Sequence, residues 1–251
     1  MNGSVAEFEL HGVVHLVRPT GRRARDLEEL RLGIAETPAR SLFCHTRQCQ
    51  LRDPAGAELP PDDFSAWVNG VVQDRETAER LSFVGLNRGG SAEEEREALL
   101  EVLGQVPEAA RQTRDTPVEG AFVFLTVESV PLPTGVVARS GLELLEALIE
   151  AEASVWFYHL TEQLWFPEGR SILEWLFDRG DDQIGLWLRE DAGAGLPIET
   201  MRRRLLRRWR RSRLGRRLGE AAAVPEDQRR EAGRAAVARF VRRIKKPETS
   251  S

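Results

Sequence analysis

Apolar residues are concentrated near the start of each half of the chain, and the spacing that follows them is helical. Residues 6–17 and 121–130 are rich in Val, Leu and Phe, and this composition predicts one β-strand in each half. Pro-Thr-Gly follows both segments and predicts a turn whose glycine adopts a positive φ. After this turn, apolar residues recur at helical intervals, first at Leu27, Leu30 and Ile34 and then at Leu144, Leu145 and Leu148.

Helix-start signals place the remaining elements. Asp26 with Glu29, and Ser140 with Glu143, have the spacing of a capping box at the first helix of each half. Further helices are predicted from Pro38 through His45, over 74–86, 91–106 and 181–189, from Pro197 onward, and over 225–244. The predicted fold class is therefore mainly α (α+β). The pattern leaves open whether each strand pairs with its twin or with another chain.

The two halves also resemble each other in sequence. A shift of 114 positions aligns residues 8–45 with 122–159 without a gap, and 13 of the 38 positions are identical. The alignment resumes at residues 63–68 against 171–176. We therefore predict an internal duplication of a strand-plus-helices unit. The predicted domains are repeat unit 1 (1–106), a linker (107–120), repeat unit 2 (121–200) and an arginine-rich helical extension (201–251).

The composition indicates a soluble globular protein. Of its 251 residues, 41% are hydrophobic and 30% are charged, and the longest apolar stretch, 155–160 with His159 inside it, is too short to cross a bilayer. No basic segment followed by an apolar core opens the chain, so neither a secretory signal nor a transmembrane segment is expected. Only two cysteines occur, which excludes a disulfide framework and favours the reducing cytoplasm. The sequence leaves open whether the protein forms a homo-oligomer.

Charge is distributed unevenly along the chain. Residues 202–251 contain 18 Lys and Arg against 5 Asp and Glu, a balance of +13, whereas the other 201 residues have a balance of −17. A basic tail of this kind is expected to engage an unknown acidic partner, either a protein or a nucleic acid. Docking on the acidic body and binding to an anionic membrane surface are the alternatives. The candidate contact residues are Arg202, Arg203, Arg204, Arg207, Arg208, Arg210 and Arg211.

Two histidines occupy equivalent positions in the two halves. His45 and His159 could form a pair of imidazoles, brought together across a pseudo-twofold axis, that exchange protons or bind a ligand. Alternatively, each is a partly buried side chain that hydrogen-bonds a neighbour, because aromatic residues flank both. They are catalytic candidates only if the protein is an enzyme.

A hydroxyl, a glycine and an arginine precede the first helix of each half. This arrangement could hold a phosphate or a carboxylate near the helix start. The same residues could instead cap the helix and pair the arginine with a nearby acid. The anion-binding candidates are Thr20, Gly21, Arg25, Thr134, Gly135 and Arg139.

No metal site and no cofactor are predicted. Cys44, His45 and Cys49 are close in sequence, but a structural zinc site needs four ligands and the second half has no cysteine at the equivalent positions. The six tryptophans indicate core packing, because Trp67, for example, stands at helical spacing from Phe64.

The phrase Ser-Leu-Phe-Cys-His-Thr at residues 41–46, followed by a proline-rich gap and by Asp-Asp-Phe-Ser-Ala-Trp-Val at 62–68, resembles the bacterial domain-of-unknown-function 5752 family. The preceding run from Thr20 to Leu30 also fits this family. The resemblance covers residues 8–105, and the second half departs from it, since Leu160 stands in place of Thr46. It implies a cytoplasmic bacterial protein, and it implies no activity.

These observations favour a non-enzymatic binding or regulatory protein, built from two homologous α-rich units, whose basic tail engages an acidic partner. The first alternative is an enzyme that acts on a phosphorylated or anionic small molecule, with His45 or His159 as acid/base and Arg25 or Arg139 as anion clamp. That alternative requires Arg25 and His45 to face one cleft. The second alternative is nucleic-acid binding through the arginine-rich tail.

Overall fold

Two long strands pair with each other and organise the fold. In the computed structural model, which describes residues 7–55, 62–86, 91–113 and 116–222, β1 (Phe8–Ala24) and β2 (Phe122–Ala138) form an antiparallel ribbon. The strand of each half therefore pairs with its twin in the other half. His15 lies opposite Ser129 at the middle of this ribbon.

Both strands continue through Pro-Thr-Gly, so the prediction that they end before this tripeptide is wrong. The ladder shifts register at each tripeptide and then resumes as far as Ala24 and Ala138. Gly21 and Gly135 have φ angles of 87° and 75°, positive as predicted. A glycine with positive φ allows a bulge within paired strands as readily as a turn between elements, and the sequence pattern alone does not distinguish the two.

Helices from both halves pack against the ribbon, and the α+β class is confirmed by the mainly helical fold and the two-stranded sheet of the described residues. The structure also has two π-helical turns, Val68–Val72 and Tyr158–Glu162. A 3₁₀ turn, Val118–Gly120, precedes β2. The helices of the first half are α1 (Leu27–Glu36), α2 (Ala39–Arg47), α3 (Cys49–Arg52), α4 (Asp63–Trp67), α5 (Arg75–Leu86), α6 (Ala92–Gly104) and α7 (Glu108–Thr113). Those of the second half are α8 (Gly141–Glu150), α9 (Ala153–Phe157), α10 (Gln163–Trp165), α11 (Ile172–Asp178), α12 (Asp182–Gly193) and α13 (Ile198–Ala222).

Capping hydrogen bonds confirm the predicted helix starts at Asp26, Ser91 and Ser140, whereas Asp181 makes no side-chain capping bond at the start of α12. The Asp26 carboxylate accepts the backbone N–H of Glu29 at the start of α1, and the Ser140 hydroxyl accepts that of Glu143 at the start of α8. Ser91 forms a complete capping box at α6. Helix α7 and the 3₁₀ turn fall within the segment predicted as a linker, and the helix predicted over 225–244 lies outside the described residues.

An apolar core packs the helices of the first half against the start of β2. The predicted apolar positions of α1 and α8 are all buried, as are Trp67, Trp156 and Trp175. On the outer face of the ribbon, by contrast, Val14 and Leu16 are about half exposed. The burial of β1 is thus concentrated before Val14, and buried and exposed positions do not alternate regularly along the strand.

Helix α13 is the longest of the described helices, and its residues are divided between two compact units. One unit ends at Arg203, and the other begins at Arg204. Because arginines are frequent along its 25 residues, α13 is far too polar to lie in a bilayer. Within the described ranges no helix is both long and apolar enough to span a membrane.

Candidate functional site

The two equivalent histidines each join a helix of one half to the strand of the other half. His45 belongs to α2, and its Nε2 accepts the backbone N–H of Leu125 in β2 at 2.8 Å. His159 belongs to the π-helical turn after α9, and its Nε2 accepts the backbone N–H of His11 in β1 at 3.0 Å. In both contacts Nε2 acts as an acceptor, so the ring proton is on Nδ1.

The hypothesis that these imidazoles are brought together is not met in the structure. Leu125 lies opposite Pro19, eight residues along β1 from His11. At 3.3 Å per residue the two contacts are about 26 Å apart along the ribbon. The two rings are buried beside aromatic residues at opposite ends of the ribbon. His45 lies against Phe122, and His159 lies against Phe8. The antiparallel pairing of the strands therefore separates the two histidines.

The second ring nitrogen distinguishes the two histidines. Nδ1 of His45 lies 3.0 Å from a carboxylate oxygen of Asp63, which also pairs with Arg52. Burial alone would raise the pKa of Asp63, but the hydrogen bonds from His45 and Arg52 hold it below its ordinary value. His159 is affected differently: burial, together with the nearby His11, lowers its pKa to about 3. His159 is thus neutral at physiological pH and is no proton donor there.

The anion-binding candidates make contacts within the protein. The hydroxyl of Thr20 donates to the carbonyl of Phe124 at 2.9 Å, and that of Thr134 donates to the carbonyl of Leu10 at 2.7 Å. These four positions are also related by 114 residues, and the hydroxyls fasten the two bulges to the opposite strand. The glycines of the two bulges have no atom within 4 Å of an added Cβ, so each bulge faces open space.

The two candidate arginines have different partners. Arg25 donates from Nε to the carbonyl of Thr116 at 3.1 Å, and Arg139 pairs with Glu7 at 2.7 Å. His45 is only 2% exposed, so its ring does not open into a cleft that Arg25 also faces. The geometric condition for the enzyme alternative is therefore not met.

A buried polar network at the middle of the ribbon was not predicted from the sequence. Nε2 of His15 lies 2.9 Å from a carboxylate oxygen of Glu162, and Nδ1 lies 3.2 Å from the side-chain amide of Gln48. Arg40 donates to the other oxygen of Glu162 and to the hydroxyl of Ser129. Burial raises the pKa of Glu162, but the hydrogen bonds of His15, Ser129 and Arg40 outweigh it and lower that pKa.

The signal for this network was present in the sequence but differed from the one we used. Gln48 and Glu162 are 114 residues apart, and so are His15 and Ser129. Because the two residues of each pair differ in type, a comparison restricted to identical residues does not include any of the four. A search for polar residues at equivalent positions would have found them.

A cavity lies where the two halves meet, and we call it the junction cavity. Its volume is about 320 Å³, and the first half contributes Arg47 and Gln50 to its wall. Arg47 is buried and forms an ion pair with Glu95, also buried, and its guanidinium lies 5.0 Å from the ring centre of Trp165. The second half contributes most of the remaining wall, including Leu160, Thr161, Trp165, Leu173 and Arg189.

Two further cavities lie on the ribbon at positions related by 114 residues. The first, of about 750 Å³, is lined by charged and hydroxyl side chains that include Arg18, Thr20, Arg22, Arg40 and Glu128. The second, of about 440 Å³, is lined at the equivalent positions by Leu132, Thr134, Val136, Ser154 and Val14. The same backbone frame therefore carries charged side chains in one half and mostly apolar ones in the other.

The cysteines are buried thiols. Cys44 and Cys49 are both free, and burial raises the pKa of the Cys44 thiol to about 12. Cys44 therefore stays protonated at neutral pH and is a poor nucleophile and ligand. The described part of the chain contains no group of three His, Cys, Asp or Glu side chains placed to hold a metal ion.

The candidate arginines of the tail lie on α13. Arg202 and Arg203 both donate hydrogen bonds to backbone carbonyls. Arg202 donates to the carbonyl of Ile149, and Arg203 donates to that of Glu199. Arg204 and Arg208 are half-buried. Arg207, Arg210 and Arg211 are exposed, and their i, i+3, i+4 spacing places them on one face of the helix.

Comparison with known proteins supplies a family and a fold. A model of a family of unknown function, DUF5752, matches residues 5–192, which include most of both halves. The structure of OrfY from Thermoproteus tenax has a similar fold, with a TM-score of 0.68 and 22% identity over 81% of this chain and 94% of that chain. No curated protein matches the chain significantly.

Proposed function

This chain belongs to the DUF5752 family of unknown function, and we propose that it is a non-enzymatic binding or regulatory protein of the cytoplasm. In this proposal, two duplicated α-rich units form the body, and the arginine-rich extension engages an acidic partner. The duplication is supported by the contacts that recur at an interval of 114 residues. These are the histidine-to-strand bonds, the bonds of the threonine hydroxyls, and the pairing of the two strands.

The exposed arginine face of α13 carries the binding proposal. Arg207, Arg210 and Arg211 present three permanent positive charges on one side of a regular helix. Positive charges on one face of a helix attract acidic groups on a protein surface or the phosphates of a nucleic acid. Nucleic-acid binding through the tail is thus a special case of the same proposal.

The enzyme alternative receives less support from the site. Both candidate imidazoles use Nε2 to accept a backbone N–H, and the low pKa of His159 keeps that ring neutral. A general acid or base must reach the proton it transfers and must have a pKa near the working pH. We therefore assign both histidines a structural role.

The test replaces the exposed face of α13 in the full-length protein. The variant Arg207→Gln/Arg210→Gln/Arg211→Gln is expected to lose affinity for an acidic probe, and we would measure fluorescence anisotropy with a labelled 20-base-pair DNA duplex and with labelled polyglutamate. If DNA is the partner class, the slope of log K against log salt should fall by about 2 to 3, because each lost phosphate contact removes about 0.9.

The matched control removes the same charge elsewhere. Arg18, Arg23 and Arg75 are exposed and lie outside α13, so Arg18→Gln/Arg23→Gln/Arg75→Gln should bind like the wild type. Equal losses in both triple variants would show a nonspecific effect of net charge. Binding of neither probe by the wild type would contradict the acidic-partner proposal.

A further inference from the structure

The junction cavity has the chemical character of a site for an organic anion. Among the described residues that line it, two are arginines and none is Asp or Glu. Arg47 is the buried cation, and Arg189 is the exposed one. Gln50 and Thr161 add hydrogen-bonding groups, and the Thr161 hydroxyl donates to the Gln50 side chain at 3.1 Å.

The remaining wall of the cavity is apolar. Leu160, Trp165 and Leu173 line it, and Leu160 and Leu173 are buried. A volume of about 320 Å³ is at the lower end of the range for small-molecule sites, which occur preferentially where two units meet. The cavity therefore offers a cationic end for an acidic group and an apolar wall for a compact body.

The buried ion pair at this cavity is not required by the fold. Helices α6 and α13 start at corresponding positions, and the fourth residue of each is buried: Glu95 in α6 and Met201 in α13. Thr161 stands 114 residues after Arg47. The second half thus has a threonine and a methionine where the first half has Arg47 and Glu95, and both of these residues are buried.

A buried ion pair also contributes little to stability, because a protein with apolar residues of similar volume in its place is often as stable or more stable. Glu95 does not line the cavity, whereas Arg47 does. Glu95 and the ring of Trp165 thus hold the Arg47 guanidinium at the cavity wall, where it can meet a ligand.

We infer that the junction cavity binds a small organic anion, in which an acidic group is joined to a compact apolar body. Arg47 holds the acidic group, Arg189 adds attraction at the exposed side, and the leucines and Trp165 contact the body. This site shares no residue with the arginine face of α13, so each proposal is tested independently of the other.

The test uses two dyes of similar shape and different charge with the full-length protein. The anionic dye is 8-anilino-1-naphthalenesulfonate, and the neutral dye is N-phenyl-1-naphthylamine. The variant Arg47→Thr/Glu95→Met copies the residues of the second half. It should lower the affinity for the anionic dye about 10- to 100-fold, which corresponds to the loss of a charge-assisted hydrogen bond, and leave the affinity for the neutral dye unchanged.

The control variant Arg75→Thr/Glu79→Met removes an exposed ion pair outside the cavity and should bind both dyes like the wild type. The inference is overturned if the wild type does not bind the anionic dye, if its affinity is unchanged in Arg47→Thr/Glu95→Met, or if both dyes weaken equally. Circular dichroism checks that the variant is folded.

If that variant does not fold, Arg189→Gln decides, because Arg189 is exposed and its replacement leaves the core intact. The anionic dye should then weaken about 2- to 5-fold, as expected for an exposed charge, with the neutral dye unchanged. No change for either dye in Arg189→Gln would overturn the inference.

Discussion

Replacement of Glu162 by Leu is expected to lower the free energy of unfolding by about 3–5 kcal/mol, the cost of removing one partner from a buried charged network. His15 and Glu162 each have only 3% of their side chains exposed, and the variant leaves the ring nitrogen of His15 without its carboxylate. Arg40 loses the same partner. Urea unfolding at pH 7, followed by circular dichroism, measures the change.

The matched control is Glu162→Gln. Glutamine keeps the shape and an acceptor, and Gln48 already bonds the other nitrogen of His15 from the equivalent position. We expect this variant to lose only about 1–2 kcal/mol, the net worth of a hydrogen bond to a charged group. A loss below 1 kcal/mol in Glu162→Leu, or equal losses in the two variants, would show that the network does not hold the ribbon to the helices.

The acid side of the stability curve reports on the same carboxylate. The folded pKa of Glu162 is lowered, so its contribution is fully present above its ordinary pKa of 4.5 and is lost as the pH falls through the folded value. The stability difference between the wild type and Glu162→Gln should therefore shrink below about pH 4.5.

Replacement of His45 by Leu should be the next most damaging change, with a loss of about 2–4 kcal/mol. The leucine cannot accept the backbone N–H of Leu125, and Asp63 loses the ring that it bonds. The unpaired N–H lies between β2 and α2, where the apolar leucine side chain replaces its acceptor. The same urea series measures the effect.

Two comparisons make this prediction specific. His159→Leu removes the equivalent tether but no carboxylate bond, so it should cost less than His45→Leu. His11→Leu changes a partly exposed side chain, while its backbone N–H still bonds His159. It should change stability by less than 1 kcal/mol. An equal loss of stability in His11→Leu and His45→Leu would show that the hydrogen bond between His45 and the backbone of Leu125 does not cause the effect.

Local patterns predicted several helix starts of this fold, but they missed α7 and placed the ends of both strands too early. The apolar spacing of α1 and α8 and the caps at Asp26, Ser91 and Ser140 are short-range features, and the structure has helices at each of them. The Pro-Thr-Gly prediction failed because a glycine with positive φ suits both a turn and a bulge. Only the partner strand decides between them, and that partner is about 100 residues away.

The site was less predictable because it depends on contacts between the halves. Residues that are identical in both halves include His45 and Thr20, and each bonds the strand of the second half. The residues with the more distinctive chemistry are those in which the halves differ. Arg47 corresponds to Thr161, and His15 corresponds to Ser129. In this chain, the residues shared by the two halves thus form structural contacts, and the divergent ones direct the search for function.

Nitrogen-15 NMR of histidine-labelled protein measures directly which ring nitrogen carries the proton in His45 and His159. If both imidazoles are structural acceptors, Nε2 is unprotonated in each at pH 7, and His159 stays neutral on titration down to about pH 3. A protonated Nε2 in either ring, or a His159 that titrates near its ordinary value of 6.5, would contradict the structural role and return the two histidines to catalytic candidacy.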